Sequence, residues 1–292
     1  MKLGYLTPLT PEEPARASRL GFSCLEIHSH TFFGDTVYNS PSQRDQILAA
    51  LKRSKDAGIP ISAIAHYTPA LRLRGQALIE SYRKCIDLAS ACGANVVATL
   101  AARSDPRKTV ADNLPAFRAI YAPVAELAES AGVKIALENW PGFRGYPWVG
   151  QTMAYSPQAW QLLFDAVPSP ALGLEFDPSH LVWQGIDHLW ALRTFAARVH
   201  HVHAKDTQIF PDVRNRIGIF GTDGWWTYRL PGTPNNEINW PQFISALRSI
   251  HYTGNICIEH EDDRYDPNRK DPGLAAYEQG LRIAHDCLHP LL

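Results

Sequence analysis

The sequence lacks several features that would each point to a particular class of protein. Its 5 cysteines are scattered and form no Cys-x-x-Cys pair, so neither a disulfide framework nor a thiolate zinc site is indicated. The apolar runs are all of strand length, and the first residues turn polar at Pro11, Glu12 and Glu13. We therefore expect no membrane span, no secretory signal, and free thiols in a cytoplasmic protein.

An excess of charge of one sign is also lacking, since 28 Lys and Arg face 29 Asp and Glu and give a net charge of -1. The short basic cluster around Arg72 and Arg74 makes no stripe, so we expect no nucleic-acid partner. Neither GxGxxG nor a P-loop occurs, and the segment after the first predicted strand reads LTPLTPEEP. This disfavours a doubly wound sheet that binds a dinucleotide.

The chain instead alternates short apolar runs with longer amphipathic stretches. In SQRDQILAALKRSKDAG, for example, Ile47, Leu48 and Leu51 recur at helical spacing, and Gly58 is a natural C-cap. About eight strand–helix units can be counted over the 292 residues. The pattern predicts an α/β fold, a (β/α)8 TIM barrel that forms a single domain over residues 1–292. The long irregular segment 206–238 is a predicted lid loop.

Polar side chains end the last four predicted strands, where TIM barrels place their active sites. These strands deliver a carboxylate, a second carboxylate, an imidazole and a third carboxylate, which are Glu138, Asp177, His203 and Glu259. Burying several carboxylates together is costly unless a cation compensates. An oxygen and nitrogen ligand set without thiolate indicates one divalent metal ion, with Mn²⁺ first and Co²⁺, Mg²⁺, Fe²⁺ or Zn²⁺ as alternatives.

Other residues near these strand ends are candidates for contacts with a substrate. His180 lies one turn after Asp177, and Lys205 and Glu261 lie two residues after His203 and Glu259. His66 ends an early strand and is a reserve general base, with plain packing as the alternative. Indole rings that could offer flat faces to a sugar, or else pack in the core, are Trp140, Trp148, Trp183, Trp225 and Trp226.

The strings ALENW, FDPSH, HVHAKD and IEHED, which occur in this order along nearly the whole chain, resemble the xylose isomerase-like sugar isomerase/epimerase superfamily. Its members include ketose 3-epimerases and inosose isomerases and dehydratases. The resemblance implies metal ligation by Glu138, Asp177, His203 and Glu259. It also implies that His180 is the family's second histidine. Arg229, within TYRLPG, is the candidate for the family's substrate-contacting arginine.

The resemblance implies proton abstraction next to the carbonyl of a small sugar or keto-sugar. Glu138 and Glu259 would combine metal ligation with acid and base work, while His180 and Lys205 would polarise substrate oxygens. The same chemistry can instead eliminate a β-substituent, so a keto-glycoside or inosose lyase or dehydratase is the alternative. The long segment after His203 and the acidic stretch DDRYDPNRKD resemble relatives that act on larger keto-glycosides. A non-catalytic sugar-binding barrel is the third hypothesis, and a homo-oligomer is left open.

Overall fold

The strands form a closed parallel barrel. The computed structural model describes residues 1–143, 150–221, 224–266 and 273–292. The strands are β1 (Leu3–Thr7), β2 (Cys24–His28), β3 (Ile61–His66), β4 (Val96–Thr99), β5 (Lys134–Glu138), β6 (Leu172–Phe176), β7 (Val199–Ala204), β8 (Asp206–Ile209), β9 (Trp226–Arg229) and β10 (Ile256–Ile258). The order around the barrel is β1–β10–β7–β6–β5–β4–β3–β2, and β8 pairs with β9 outside it. The predicted (β/α)8 barrel is therefore confirmed.

Helices follow the barrel strands and surround them. They are α1 (Glu13–Arg19), α2 (Pro41–Asp56), α3 (Tyr67–Arg72), α4 (Gly75–Cys92), α5 (Val110–Ala131), α6 (Pro157–Ala166), α7 (Pro178–Trp183), α8 (His188–Thr194), α9 (Pro211–Ile217), α10 (Trp240–Ser249) and α11 (Leu274–Leu288). None of the helices in the described part of the chain is long and apolar enough to cross a membrane.

Local sequence signals explain where the longer helices begin and end. The Ser40 side chain caps α2, and Thr109 and Asp112 form a capping box at the start of α5. The helix α5 ends at Gly132, whose φ of 67° is a left-handed conformation that favours glycine. These caps fix the helix ends, so the strand that follows each helix enters the barrel in a defined place.

The core lies in two layers, one inside the barrel and one between the strands and the helices. Aliphatic and aromatic side chains such as Leu25, Ile64, Trp160 and Phe176 are fully buried. The barrel strands, buried on both faces, read as nearly continuous apolar runs. A charged side chain within such a strand therefore has no access to water and needs partners inside the protein.

The segment 206–238 contains more regular structure than a loop. The strands β8 and β9 form an antiparallel ladder in which Asp206 pairs with Arg229, and α9 lies between them. Asp206 anchors this hairpin, because its Oδ1 accepts from the backbone N–H groups of Thr207, Glu237 and Ile238. Its Oδ2 accepts from the Trp240 indole at 2.7 Å. The hairpin is thus tied to the barrel at both of its ends.

Candidate metal centre and active site

Four strands bring the four predicted metal ligands to one end of the barrel. Glu138 is the last residue of β5, Asp177 follows β6, His203 lies in β7, and Glu259 follows β10. The Asp177 Oδ1 accepts from the Ser179 N–H at 2.8 Å and so caps α7, which leaves its Oδ2 directed at the other ligands. Parallel strands have their C-terminal ends at the same rim, which is why residues so distant in sequence meet there.

We use the name rim cluster for Glu138, Asp177, His180, Lys205 and Glu259. His203 Nδ1 lies 3.3 Å from Glu259 Oε2 and 3.7 Å from Glu138 Oε1. His180 Nε2 lies 3.3 Å from Glu138 Oε1 and 3.4 Å from Asp177 Oδ2. Metal–ligand bonds of about 2.0–2.2 Å place neighbouring ligand atoms roughly 3.0–3.5 Å apart. The ligand atoms of His203 and of the rim cluster are therefore spaced like the ligands of one metal ion.

Two buried atoms of this site are left without a hydrogen bond among the described residues. They are His203 Nδ1 and Asp177 Oδ2, and both side chains are fully buried. Asp177 Oδ2 meets the Lys205 ammonium only as an ion pair at 3.2 Å. Buried polar atoms are rarely left unsatisfied without a functional reason. Glu138, Asp177, His180 and Glu259 form a group that could hold a metal ion, since their ligand atoms lie within 4.8 Å of one another. His203 belongs to a second such group, with Glu26, Glu175 and His201.

Lys205 places a positive charge inside the rim cluster. Its Nζ lies 2.9 Å from Glu261 Oε2 and also contacts Glu259. Burial lowers the pKa of this ammonium, but the carboxylates of Asp177, Glu259 and Glu261 outweigh it and hold the pKa well above its usual range. The ammonium also lies 4.4 Å from the centre of the Tyr228 ring. Lys205 is therefore a fixed cation and hydrogen-bond donor at the site.

Glu138 and Glu259 are ionised at neutral pH. Burial raises the pKa of Glu259, but Lys205 and His203 lower it to about 2. The pKa of Glu138 is also well below its usual range, because the nearby His180, His203 and Lys205 outweigh the effect of burial. Ionised carboxylates are the form that binds a divalent cation and accepts a proton.

A second group of polar residues lies deeper in the barrel, on the other side of the His203 ring. We use the name interior cluster for Glu26, Tyr67, Glu175 and His201. His203 Nε2 lies 2.9 Å from Glu26 Oε2, and His201 Nδ1 lies 2.7 Å from Glu175 Oε1. The Tyr67 hydroxyl donates to both carboxylates. Contacts this short are hydrogen bonds. The ligand atoms of Glu26, Glu175, His201 and His203 also lie within 4.8 Å of one another, so this group could hold a metal ion as well.

The interior cluster was missed by reasoning from strand ends. Glu26 and Glu175 stand in the middle of the apolar strands CLEIH and LGLEF, and both are fully buried. A carboxylate in the middle of a buried strand was the signal that could have identified them. Burial and the neighbouring Glu26 carboxylate raise the pKa of Glu175 well above its usual range.

A cleft of about 590 Å³ opens at the rim cluster. Glu138, Lys205, Glu259 and Glu261 form its polar end. Trp140 and Trp226 lie on its apolar wall, with Tyr67 and Tyr228 between the two parts. The Trp226 ring stacks on Trp183 at 4.6 Å between ring centres, nearly parallel. The cleft therefore joins a charged end to an aromatic wall, which suits a ligand with both hydroxyl groups and flat apolar faces.

Three of the predicted substrate contacts do not line the cleft, namely Arg229, Trp225 and His66. The guanidinium of Arg229 donates to Gln208 Oε1 at 2.9 Å and to Asp263 Oδ1 at 3.3 Å, so it joins β8 and β9 to the segment after β10. Trp225 is buried and packs edge-on against Trp183. Neither residue is among those that line the cleft. Trp148 lies outside the described residues.

His66 is the third of these residues and is held in the wall of the barrel. Its Nδ1 lies 2.8 Å from Ser29 Oγ, and its Nε2 lies 2.9 Å from Ser81 Oγ. Burial lowers the pKa of the imidazole to about 3, and the side chain is fully enclosed. An imidazole with both nitrogens occupied has no free lone pair for a substrate proton, so the geometry favours the packing alternative.

Comparisons with known sequences agree with this geometry. The protein YfiH of Bacillus subtilis, which is uncharacterized, is 33% identical over 169 residues, and these cover 55% of this chain and 48% of YfiH. Inosose dehydratase of Clostridium perfringens is 25% identical over 140 residues, or 47% of this chain and 43% of that enzyme. Each of these matches spans less than half the length of the relative.

Solved structures resemble this chain over its full length. D-psicose 3-epimerase of Clostridium cellulolyticum H10 has a TM-score of 0.70 at 18% identity, covering 100% of this chain and 99% of that one. The IolI protein, solved with a zinc atom, has a TM-score of 0.69 at 20% identity, with coverage of 100% and 99%. These likenesses establish a shared fold. A family model described as xylose isomerase-like TIM barrel matches residues 14–287, so the chain belongs to that family.

Proposed function

We propose that this protein is a divalent-metal-dependent sugar or keto-sugar isomerase or epimerase. The observation that carries the proposal is the convergence of Glu138, Asp177, His203 and Glu259 at one end of the barrel, where Asp177 Oδ2 and His203 Nδ1 are left without hydrogen bonds among the described residues. Glu138 and Glu259 also line the cleft. Metal and catalytic sites at the C-terminal rim of a barrel have this composition. The substrate proposed is a small hydroxyketone, by analogy with the epimerase and inosose-converting relatives.

The ion, when bound, would polarise the carbonyl and lower the pKa of the neighbouring C–H. The protein is proposed to supply the remaining functions. Glu259 and Glu138 are the proposed bases, because both are ionised and both face the cleft. Lys205 and His180 are proposed to donate hydrogen bonds to substrate oxygens from fixed positions. One carboxylate removes the α-proton and the other returns it, either to the opposite face or to the next carbon.

The metal proposed is a single ion per chain, held by Glu138, Asp177, His203 and Glu259. Mn²⁺ is the first candidate because hard oxygen ligands predominate, and the zinc in the IolI structure supports Zn²⁺ as an alternative. His180 is close enough to be a further ligand, since its Nε2 lies within 3.4 Å of Asp177 and Glu138. The hairpin of β8 and β9 is the proposed lid, as it contributes Trp226 and Tyr228 to the cleft.

A lyase or dehydratase is the second candidate function. The observation that favours it is the buried Lys205 ammonium beside Glu261 at the polar end of the cleft. Once the α-proton has been removed, a fixed cation in this position can stabilise the negative charge that develops on a leaving hydroxyl or glycosidic oxygen of the β-carbon. Similarity to inosose dehydratase supports this alternative. The two functions share the first proton transfer and differ in whether a substituent leaves.

The test is elemental analysis followed by a panel of keto-sugars and keto-glycosides in D₂O, monitored by NMR. We expect one divalent ion per chain in the unsubstituted protein and a large loss in Glu138→Gln and His203→Ala. Deuterium should enter the substrate or product at the carbon next to the carbonyl. A new stereocentre or a moved carbonyl identifies an isomerase or epimerase, and a lost substituent identifies a lyase. Full metal occupancy in both variants, or turnover without deuterium, would contradict the proposal.

A further inference from the structure

The His203 ring separates two clusters that offer its two nitrogens different surroundings. Its Nε2 lies 2.9 Å from Glu26 Oε2 and 3.3 Å from Glu175 Oε1. Its Nδ1 lies 3.3 Å from Glu259 Oε2 and has no hydrogen-bond partner in the described part of the chain. The ring is fully buried, and the Tyr67 hydroxyl lies 3.4 Å from the same Nε2. The contacts on each side of the ring therefore determine the state of its two nitrogens.

A histidine must be neutral to bind a metal ion, and a neutral imidazole carries one N–H and one lone pair. Carboxylates accept hydrogen bonds and do not donate them when ionised, so the N–H is stabilised on the nitrogen that faces the closer carboxylate. That nitrogen is Nε2, at 2.9 Å from Glu26. The lone pair is then on Nδ1, the nitrogen that faces Glu138 and Glu259.

We infer that Glu26 is a positioning residue that fixes His203 as the Nε2–H tautomer and aims its Nδ1 lone pair into the rim cluster. This inference rests on the metal centre of the proposed function, and it assigns to the interior cluster a role in that centre. A carboxylate behind a metal-binding histidine orients the ring and increases its basicity. The Tyr67 hydroxyl, 3.2 Å from Glu26 Oε1, holds the carboxylate from its other side.

The two sides of the His203 ring differ in their contacts. The closest contacts of the interior cluster are 2.7 Å and 2.9 Å, which are hydrogen-bond lengths between an imidazole and a carboxylate. On the other side, His203 Nδ1 lies 3.3 Å from Glu259 Oε2 and 3.7 Å from Glu138 Oε1. His203 thus contacts both clusters, through a hydrogen bond on one side and through a nitrogen without one on the other.

Glu175 offers a matched control, since it is as buried as Glu26 and lies in the same cluster. Its closest imidazole is His201, at 2.7 Å, whereas Glu26 is the closest carboxylate to His203. Glu26→Gln presents an amide that can donate to Nε2 and thereby favours the opposite tautomer. Glu175→Gln leaves the bond between Glu26 and His203 in place. A merely structural role of the interior carboxylates would affect both variants alike.

The experiment measures the dissociation constants of Zn²⁺ and Mn²⁺ for the full-length protein, Glu26→Gln and Glu175→Gln, with folding checked by circular dichroism. We expect Glu26→Gln to weaken metal binding about 10–100-fold. Glu175→Gln should stay close to the unsubstituted protein. Equal affinity in Glu26→Gln, or an equal loss in both variants, would overturn the inference. Absence of metal binding by the unsubstituted protein would instead contradict the proposed function.

A second measurement needs no substitution at Glu26 and holds even if that variant does not fold. In the zinc-loaded protein with ¹⁵N-labelled histidine, the ring of His203 should show a metal-bound Nδ1 and a protonated Nε2. Its signals are assigned by their loss in His203→Gln. A protonated Nδ1 would overturn the inference. In Glu175→Gln the His203 pattern should be unchanged, because its partner Glu26 is retained.

Discussion

The rim cluster and the interior cluster both contain glutamate and histidine side chains, but the carboxylates of the two clusters have different partners. In the interior cluster, Glu26, Glu175 and Tyr67 are joined by direct hydrogen bonds. In the rim cluster, the carboxylates gather around Lys205, and Asp177 Oδ2 accepts no hydrogen bond. Hydrogen-bonded buried groups stabilise a fold, whereas a buried group without a partner often has a function. In the interior cluster, His201 Nε2 is also without a hydrogen bond among the described residues, so the contrast concerns the carboxylates. The difference predicts that substitutions in the two clusters change different properties.

The largest effect is expected at the rim, on activity. Glu259→Gln keeps the size of the side chain but removes a negative charge and the ability to accept a proton. We expect a loss of turnover and of deuterium exchange by at least about 100-fold, the lower end of the contribution of a general base. The metal-free protein should also lose some stability, because the attraction of Lys205 and His203 for this carboxylate outweighs the repulsion from Glu138. Kinetics in D₂O and urea unfolding of the metal-free protein measure the two properties.

The matched control for that experiment is Glu261→Gln, which changes a carboxylate on the same segment that also contacts Lys205. Its Oε2 lies 2.9 Å from the ammonium, and its side chain is more exposed than that of Glu259. A smaller loss of activity is expected. If Glu259→Gln retained deuterium exchange at the level of Glu261→Gln, then Glu259 would not be the base.

The next largest effect is expected in the interior cluster, on stability. Glu175→Ala leaves His201 Nδ1 without its 2.7 Å partner and removes one acceptor of the Tyr67 hydroxyl, all within the buried barrel. Leaving a buried donor or acceptor without its partner costs about 1–3 kcal/mol. We expect that loss in urea unfolding of the metal-free protein. Glu261→Gln, which changes a more exposed carboxylate beside the rim cluster, should change the same quantity less, and equal losses would remove the distinction between the clusters.

His66 provides a third case for the comparison, because both of its ring nitrogens have hydrogen-bond partners and it belongs to neither cluster. Its pKa is lowered to about 3 by burial, against about 6.5 in an unfolded chain. The folded state therefore resists a proton that the unfolded state takes up, so this contribution to stability is present above about pH 6.5 and is lost as the pH falls toward 3. Between pH 7.5 and 5.5 the loss amounts to about 1.4 kcal/mol.

The measurement for His66 is urea unfolding at these two pH values for the unsubstituted protein and for His66→Asn, which cannot titrate. We expect the variant to be less stable overall but to lose about 1.4 kcal/mol less than the unsubstituted protein between pH 7.5 and 5.5. An unchanged pH dependence would mean that His66 is protonated in the folded state. Unaltered turnover per folded molecule would support packing as the role of this residue.

The sequence predicted the rim cluster better than the interior cluster for a physical reason. The rim residues follow apolar runs, and the fold places every such position at one end of the barrel, so Glu138, Asp177, His203 and Glu259 could be grouped from their order alone. Nothing in the sequence identifies the partners of Glu26, because they depend on which strand residues face one another across the barrel interior. The sequence likewise does not show the direction of the Arg229 side chain, although an arginine suits a substrate contact.

The smallest effect is expected at Arg229, which lies in neither cluster. Its guanidinium joins Gln208 to Asp263 and also lies 3.5 Å from Asp262 Oδ1, so it links the proposed lid to the segment after β10. Arg229→Ala should lower stability by about 1 kcal/mol, the net contribution of a typical hydrogen bond. Metal affinity should not change, since the rim cluster keeps all its groups. Turnover should fall modestly, because Trp226 and Tyr228 are carried into the cleft by the same strand, β9.

Arg229→Lys is the matched variant, which keeps the charge but loses the planar fork that reaches both sides. A large rise in KM with unchanged stability would identify Arg229 as a direct substrate contact, as the sequence predicted. A small fall in turnover and stability together, shared by both variants, would assign it to the lid.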